Sequence, residues 1–164
     1  MLWVAKFGLN QKWAKDQHFI LLLKINIKKM NNTDFNINNY VWEGKNVLIA
    51  EDIMSNYNFL RLLLKKSKVN VLWVENGRDA IDTVLNNDTI DLVLLDINLP
   101  LLNGYEVVKQ IKAKKPDLPV IAQTAYALGG DREKSIAAGC DDYVSKPISI
   151  SVLLKKIDAF LGKK

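Results

Sequence analysis

The chain predicts a three-layer α/β domain over residues 44–164, built on a parallel five-stranded sheet. Three observations predict it. From Lys45 onward, apolar runs alternate with amphipathic segments, the pattern of successive βα units with parallel pairing. The runs are continuous, as strands covered on both faces require. A chain of 164 residues with 49% hydrophobic and 25% charged residues is long and apolar enough to build one sizeable core.

The elements follow in order. The first strand is "NVLIAE" (46–51), and Ile53, Tyr57, Leu60 and Leu64 behind it repeat at helical spacing. The second is "VNVLWVE" (69–75), followed by a shorter face of Ala80, Ile81, Val84 and Leu85. The third, "IDLVLLD" (90–96), precedes a face of Val107, Val108 and Ile111. The fourth is "LPVIAQTA" (118–125), and a short helix over 131–138 opens after Gly129 and Gly130. The fifth is "DYVSKP" (142–147), and Ile150, Leu153, Leu154, Ile157 and Leu161 make the last face. Periodicity alone does not supply the strand order.

Residues 1–43 are of a different character and form an N-terminal extension. Seven Asn fall within 26–46, so 31–43 reads as a linker. Gln11 to Ile27 fits a helix near Trp3, Phe7, Trp13 and Phe19. Its run "FILLL" ends at Lys24, too short to span a membrane, and no signal-peptide pattern surrounds it. The single cysteine, Cys140, rules out an intrachain disulfide and fits a reducing compartment, so a cytoplasmic location is expected. Net charge is +5, but residues 1–43 carry six Lys against three acids and residues 44–164 carry seventeen Lys and Arg against fifteen. No basic block interleaved with aromatics appears, and no nucleic-acid partner is expected.

In an open α/β sheet the functional crevice lies at the carboxyl ends of the strands. There the chain places Glu51 and Asp52, Asp96, Thr124 and Lys146. Singly, each has an ordinary reading: a solvated strand end, a helix cap, a strand hydroxyl, a surface charge. Together they make three carboxylates, a hydroxyl and an ammonium on one edge. Clustered carboxylates repel unless a cation intervenes, and Mg²⁺ with oxygen ligands and open water positions suits them. Lys146 and Thr124 then suit phosphate oxygens. A carboxylate can itself be the nucleophile and form an aspartyl-phosphate, with catalysis resting on positioning and charge neutralisation.

In order, spacing and strand context, the pair Glu51-Asp52, the segment "LLDINLPLLNG", the "TA" at 124–125 and the "KP" at 146–147 resemble a receiver domain of a two-component response regulator. The opening "GK.VLI.ED" and "QTAYA" are closest in style to receivers attached to hybrid sensor kinases. The resemblance implies a flavodoxin-like, doubly wound (βα)5 fold of strand order 2-1-3-4-5. It implies Asp96 as phosphoacceptor from a phosphohistidine, with Mg²⁺ held by Glu51, Asp52, Asp96 and the backbone carbonyl of Asn98. Lys146 would contact the phosphoryl oxygens, and Thr124 and Tyr143 would form the conformational switch. Asn98 and Tyr126 would tune the acyl-phosphate lifetime, and Pro147 would follow a cis peptide bond. Ala125 matches a small residue that leaves the phosphate accessible, and Gly104 the glycine that opens the third helix. Leu99 and Leu102 replace methionines frequent in the family.

The implied partners are a histidine kinase or a histidine phosphotransfer protein. A downstream protein, or a second copy, would be met through the fourth helix, fifth strand and fifth helix, since no output domain is expected after that helix. His18, the only histidine, has no kinase motif around it, so the donor is another molecule. The chain is thus expected to be a signalling switch that promotes only its own phosphorylation and slow dephosphorylation. Three rivals stand beside it. One is a degenerate, unphosphorylated receiver that only binds protein. Another is an aspartyl-phosphate phosphohydrolase, for which Asn98 replaces the second aspartate. The third is a flavin protein, for which no glycine loop follows strand one.

Overall fold

A computed structural model of the chain describes residues 39–125 and 130–162. Five strands alternate with five helices: β1 Asn46–Ala50, α1 Met54–Lys65, β2 Asn70–Val74, α2 Gly77–Leu85, β3 Leu92–Asp96, α3 Gly104–Lys114, β4 Val120–Thr124, α4 Asp131–Ala138, β5 Asp142–Ser145 and α5 Ile150–Leu161. All neighbouring strands are parallel, in the order β2-β1-β3-β4-β5. The flavodoxin-like order and the three layers are as the sequence implies.

Each face of the sheet has its own core, because strand residues alternate sides. Val47, Ile49, Leu92, Leu94, Ile121 and Val144 pack against α1 and α5. Leu48, Ala50, Val93, Leu95, Val120 and Ala122 pack against α2 and α3. The apolar stripe of α5 is fully used, with Leu153, Leu154 and Ile157 wholly buried. Burying each such side chain contributes about 1.5–3 kcal/mol, which sets the helix firmly on the sheet. Local chemistry marks the helix starts. Asn76 caps α2 by accepting from the Asp79 N–H at 2.9 Å, and Asn103 caps α3 by accepting from the Tyr105 N–H at 2.8 Å. Left-handed glycines, Gly130 and Gly139, bound α4, a conformation glycine adopts at no steric cost.

Three details differ from the sequence expectation. The buried face of α1 is Asn56, Phe59, Leu60, Leu63 and Leu64, so the stripe is rotated. Ile53 is the N-cap and 47% exposed, and Tyr57 is half-buried against Trp73. Leu85, the last residue of α2, is exposed. β2 is only half-buried, because as an edge strand it has a neighbour on one side only.

Tyr40 and Trp42, which read as part of a linker, pack against the core, while Val41 between them is exposed. Trp42 is buried; its backbone N–H donates to the Ser67 carbonyl at 2.8 Å and its indole N–H to Asp158 Oδ1 at 3.0 Å. It therefore joins the end of α1 to α5. The helix read over Gln11–Ile27, with His18, Trp3, Phe7 and Trp13, lies outside the described residues, as does Tyr126. Among the described residues no helix is long and apolar enough to cross a membrane.

Candidate functional site

β1, β3 and β5 deliver the site. Glu51 directly follows β1, and its N–H still donates to Val74 O at 3.1 Å, so the ladder with β2 aims it. Asp96 closes β3, whose five residues are all buried. That burial explains the abrupt stop of the apolar run: a strand covered on both faces holds its terminal carboxylate rigidly at the sheet edge. The Ile97 N–H donates to Gln123 O at 3.1 Å and the Gly104 N–H to Ile97 O at 2.9 Å. Gly104 is required here, because a Cβ would lie 2.7 Å from the Asp96 carbonyl oxygen and from Ile97 Cα. Only glycine lets α3 start so close behind the carboxylate.

Lys146 follows β5, its N–H donating to Thr124 O at 2.7 Å, and the Lys146-Pro147 peptide is cis. Its ammonium donates to Glu51 Oε2 at 2.8 Å and to Asp96 Oδ2 at 2.5 Å, joining groups 95 and 50 residues away. Asp96 Oδ1 accepts from the Asn98 backbone N–H at 2.9 Å. Glu51 Oε1 accepts from Asn56 Nδ2 at 2.8 Å and from the Ile53 N–H at 3.3 Å. Glu51 is wholly buried, Asp96 nearly so, and Asp52 is exposed.

The electrostatics follow from that burial. Burial pushes the Glu51 carboxyl above its ordinary value, and the Asp96 charge pushes the same way, against Lys146 and Asn56. Burial acts to lower Lys146, but the two carboxylates outweigh it and hold the ammonium above its ordinary value. Carboxylate oxygens of Glu51, Asp52 and Asp96 all lie within 4.8 Å of one another. Three acids against one lysine leave excess negative charge beside a solvent-facing opening. The donors are all oxygen, so the set fits a hard divalent cation that keeps part of its water shell.

Of the other residues read from sequence, Thr124 is buried at the end of β4 and Asn98 is exposed. Tyr143 sits opposite Ala122 in the β4–β5 register and is half-buried, with Lys156 Nζ 5.3 Å from its ring centre. Thr124 and Tyr143 follow the strand alternation onto the α2/α3 face, whereas Glu51 and Asp96 follow it onto the α1/α5 face. Three contributors escaped the sequence reading. Asn56 stands on the buried face of α1, a polar residue at an apolar helical position, and that was its signal. Gln123 is wholly buried in β4 beside Asp96, a polar residue inside an apolar run. Trp73 donates its indole N–H to the Glu51 carbonyl at 2.9 Å, and a backbone acceptor leaves no mark in a sequence.

Known proteins agree with this geometry. Residues 47–158 match the response regulator receiver domain. The chain is 38% identical over 120 residues to the polar-differentiation response regulator DivK of Brucella anthropi, covering 72% of this chain and 97% of that protein. Among solved structures it resembles the receiver domain of the sensor histidine kinase PA1611 from Pseudomonas aeruginosa, which has a magnesium ion coordinated in its active site cleft. The identity there is 32%, the TM-score 0.67, and the coverage 73% of this chain and 99% of that one. It also resembles the receiver domain of the Saccharomyces cerevisiae response regulator Ssk1, solved with the histidine phosphotransfer protein Ypd1. That match has 30% identity, a TM-score of 0.69, and 74% and 92% coverage.

Proposed function

The chain belongs to the response regulator receiver domain family, and from that membership we propose that Asp96 is its phosphoacceptor. A carboxylate oxygen of Asp96 attacks the phosphorus of a phosphohistidine. The P–N bond breaks, its electron pair stays on the imidazole nitrogen, and Asp96 becomes an acyl phosphate. The observation that supports this most directly is the arrangement around the carboxylate. Asp96 ends a buried strand with Lys146 on one oxygen and the Asn98 N–H on the other. Lys146 neutralises charge on the transferred group, and its second contact, to Glu51, holds it in place meanwhile.

Bound Mg²⁺ would supply further charge neutralisation for the phosphoryl oxygens. Glu51, Asp52, Asp96 and the backbone carbonyl of Asn98 would hold it. Thr124 would then answer the new phosphoryl group, with Tyr143 on the same face changing its packing. Asn98 and Tyr126 would set how fast water reverses the reaction, releasing inorganic phosphate and regenerating the carboxylate. Pro147 fixes the approach of Lys146. The chain would thus promote its own phosphorylation and slow dephosphorylation and act as a switch, its state read by a downstream protein or a second copy through α4, β5 and α5. The complex of Ssk1 with Ypd1 supports a histidine phosphotransfer protein, or a histidine kinase, as the donor. The buried, unpaired thiol of Cys140 supports a reducing, cytoplasmic setting.

The test is incubation of the chain with Mg²⁺ and a small acyl-phosphate donor, followed by intact mass. Wild type is expected to gain one phosphate and Asp96→Asn none. No adduct from that donor, or from a cognate kinase, would leave a protein-binding receiver that is never phosphorylated. Rapid multiple-turnover release of phosphate from ordinary monoesters would leave a phosphohydrolase.

A further inference from the structure

Asp52 differs from its two acidic neighbours in how it is held. Lys146 and Asn56 grip Glu51, and Lys146 and the Asn98 N–H grip Asp96. The Asp52 carboxylate is exposed, and among the described residues no donor holds it. Its aim therefore depends on its backbone. The Glu51 carbonyl and the Asp52 N–H and Cα share one rigid peptide plane, so the orientation of that plane places the Asp52 Cα from which the carboxylate reaches the site.

One side chain reaches that plane. Trp73 sits in β2 opposite Ile49, and its indole N–H donates to the Glu51 carbonyl at 2.9 Å. The indole is itself fixed, stacked on Tyr57 of α1 with ring centres 4.3 Å apart and planes 9° from parallel. The N–H of the same Glu51 residue is tied to Val74 O, so both sides of its backbone are fastened to β2. The edge position of β2 provides the space for an indole to do this.

We infer that Trp73 is a positioning residue for the metal-binding acidic pair, orienting Asp52 through the Glu51 carbonyl and keeping that aim by stacking on Tyr57. This rests on the reading that Glu51, Asp52 and Asp96 hold Mg²⁺. An outer partner that orients a metal ligand characteristically changes metal affinity more than fold when it is lost. The stack also makes α1 a participant: displacing Tyr57 loosens the indole, and a loosened indole frees the plane that aims Asp52.

The experiment is a Mg²⁺ titration of the full chain, followed by backbone amide NMR shifts, for wild type, Trp73→Phe and Tyr57→Phe. Trp73→Phe keeps an aromatic ring on Tyr57 but removes the donor, and its Kd for Mg²⁺ is expected to rise roughly tenfold with the metal-free spectrum retained. Tyr57→Phe keeps the stack and is expected to bind as wild type does. A Kd for Trp73→Phe within about twofold of wild type overturns the inference. If wild type binds no Mg²⁺, the reading beneath it fails instead, which is a separate result. Should Trp73→Phe not fold, 3-benzothienylalanine incorporated at position 73 replaces only the N–H by sulfur and decides the same question.

Discussion

Gln123 is wholly buried beside Asp96, and among the described residues neither its amide nitrogen nor its carbonyl oxygen has a hydrogen-bond partner. Leaving such groups desolvated and unpaired costs about 1–3 kcal/mol. On the α1/α5 face it lies between Asp96 of β3 and the apolar Val144 of β5, with Ile121 below it on its own strand. Gln123→Leu is therefore expected to stabilise the unphosphorylated protein by about 1 kcal/mol, read as a higher urea midpoint with unchanged slope. A lower midpoint would show that the carboxamide has a partner in solution. In the sequence this polar residue belongs to an apolar strand run, because strand pattern depends on its neighbours. Its isolation became visible only once β3 and β5 were laid on either side.

At the scale of elements, the start of α3 is the tightest junction. A methyl group on Gly104 would press on the backbone of Asp96 and Ile97, and backbone cannot rotate aside as a side chain can. Gly104→Ala is expected to destabilise by about 1–3 kcal/mol and to slow acyl-phosphate labelling of Asp96. Urea unfolding and the intact-mass assay measure the two effects, and normal values in both would mean that α3 simply shifts outward. Helices were legible in proportion to how purely their apolar residues serve the core. In α5, Ile150, Leu153, Leu154, Ile157 and Leu161 all do, and all are buried. In α1, Ile53 and Tyr57 are apolar for other reasons, one beside the site opening and one under Trp73, and they drew the stripe off its true face. β2 reads as doubly covered, and Val71 does pack on one core and Leu72 and Val74 on the other, but lacking a neighbour on one side it is only half-buried.

For the whole molecule, strand order mattered more than any single element and was the least legible part. Nothing in the spacing of Asp96 and Lys146, 50 residues apart, says that their side chains touch. The strand-end rule brings both to one sheet edge, the resemblance to the receiver family gives Lys146 a phosphoryl contact, and the sheet order supplies the physical reason that they meet. Stability toward alkali is a property at this scale. Burial, then the charge of Asp141, pushes the Cys140 thiol up to about 12, against 9.0 when free. A raised folded pKa favours the folded state fully below the free value, and that contribution is lost as pH climbs through the folded one. Wild type is thus expected to lose more stability than Cys140→Ala between pH 9 and about 12, in parallel urea titrations. Equal losses would mean that the thiol is solvated in the native state. Iodoacetamide at neutral pH should likewise leave the native thiol unmodified.

Trp42 has a mechanical consequence. Its grip on both Ser67 and Asp158 makes the point where the chain enters the domain a bearing with two mounts rather than a swivel. A load applied at Tyr40 is shared between the end of α1 and the flank of α5 before it reaches β1. Force on Trp42 is thus delivered to α5, the last helix of the fold, as well as to the first strand.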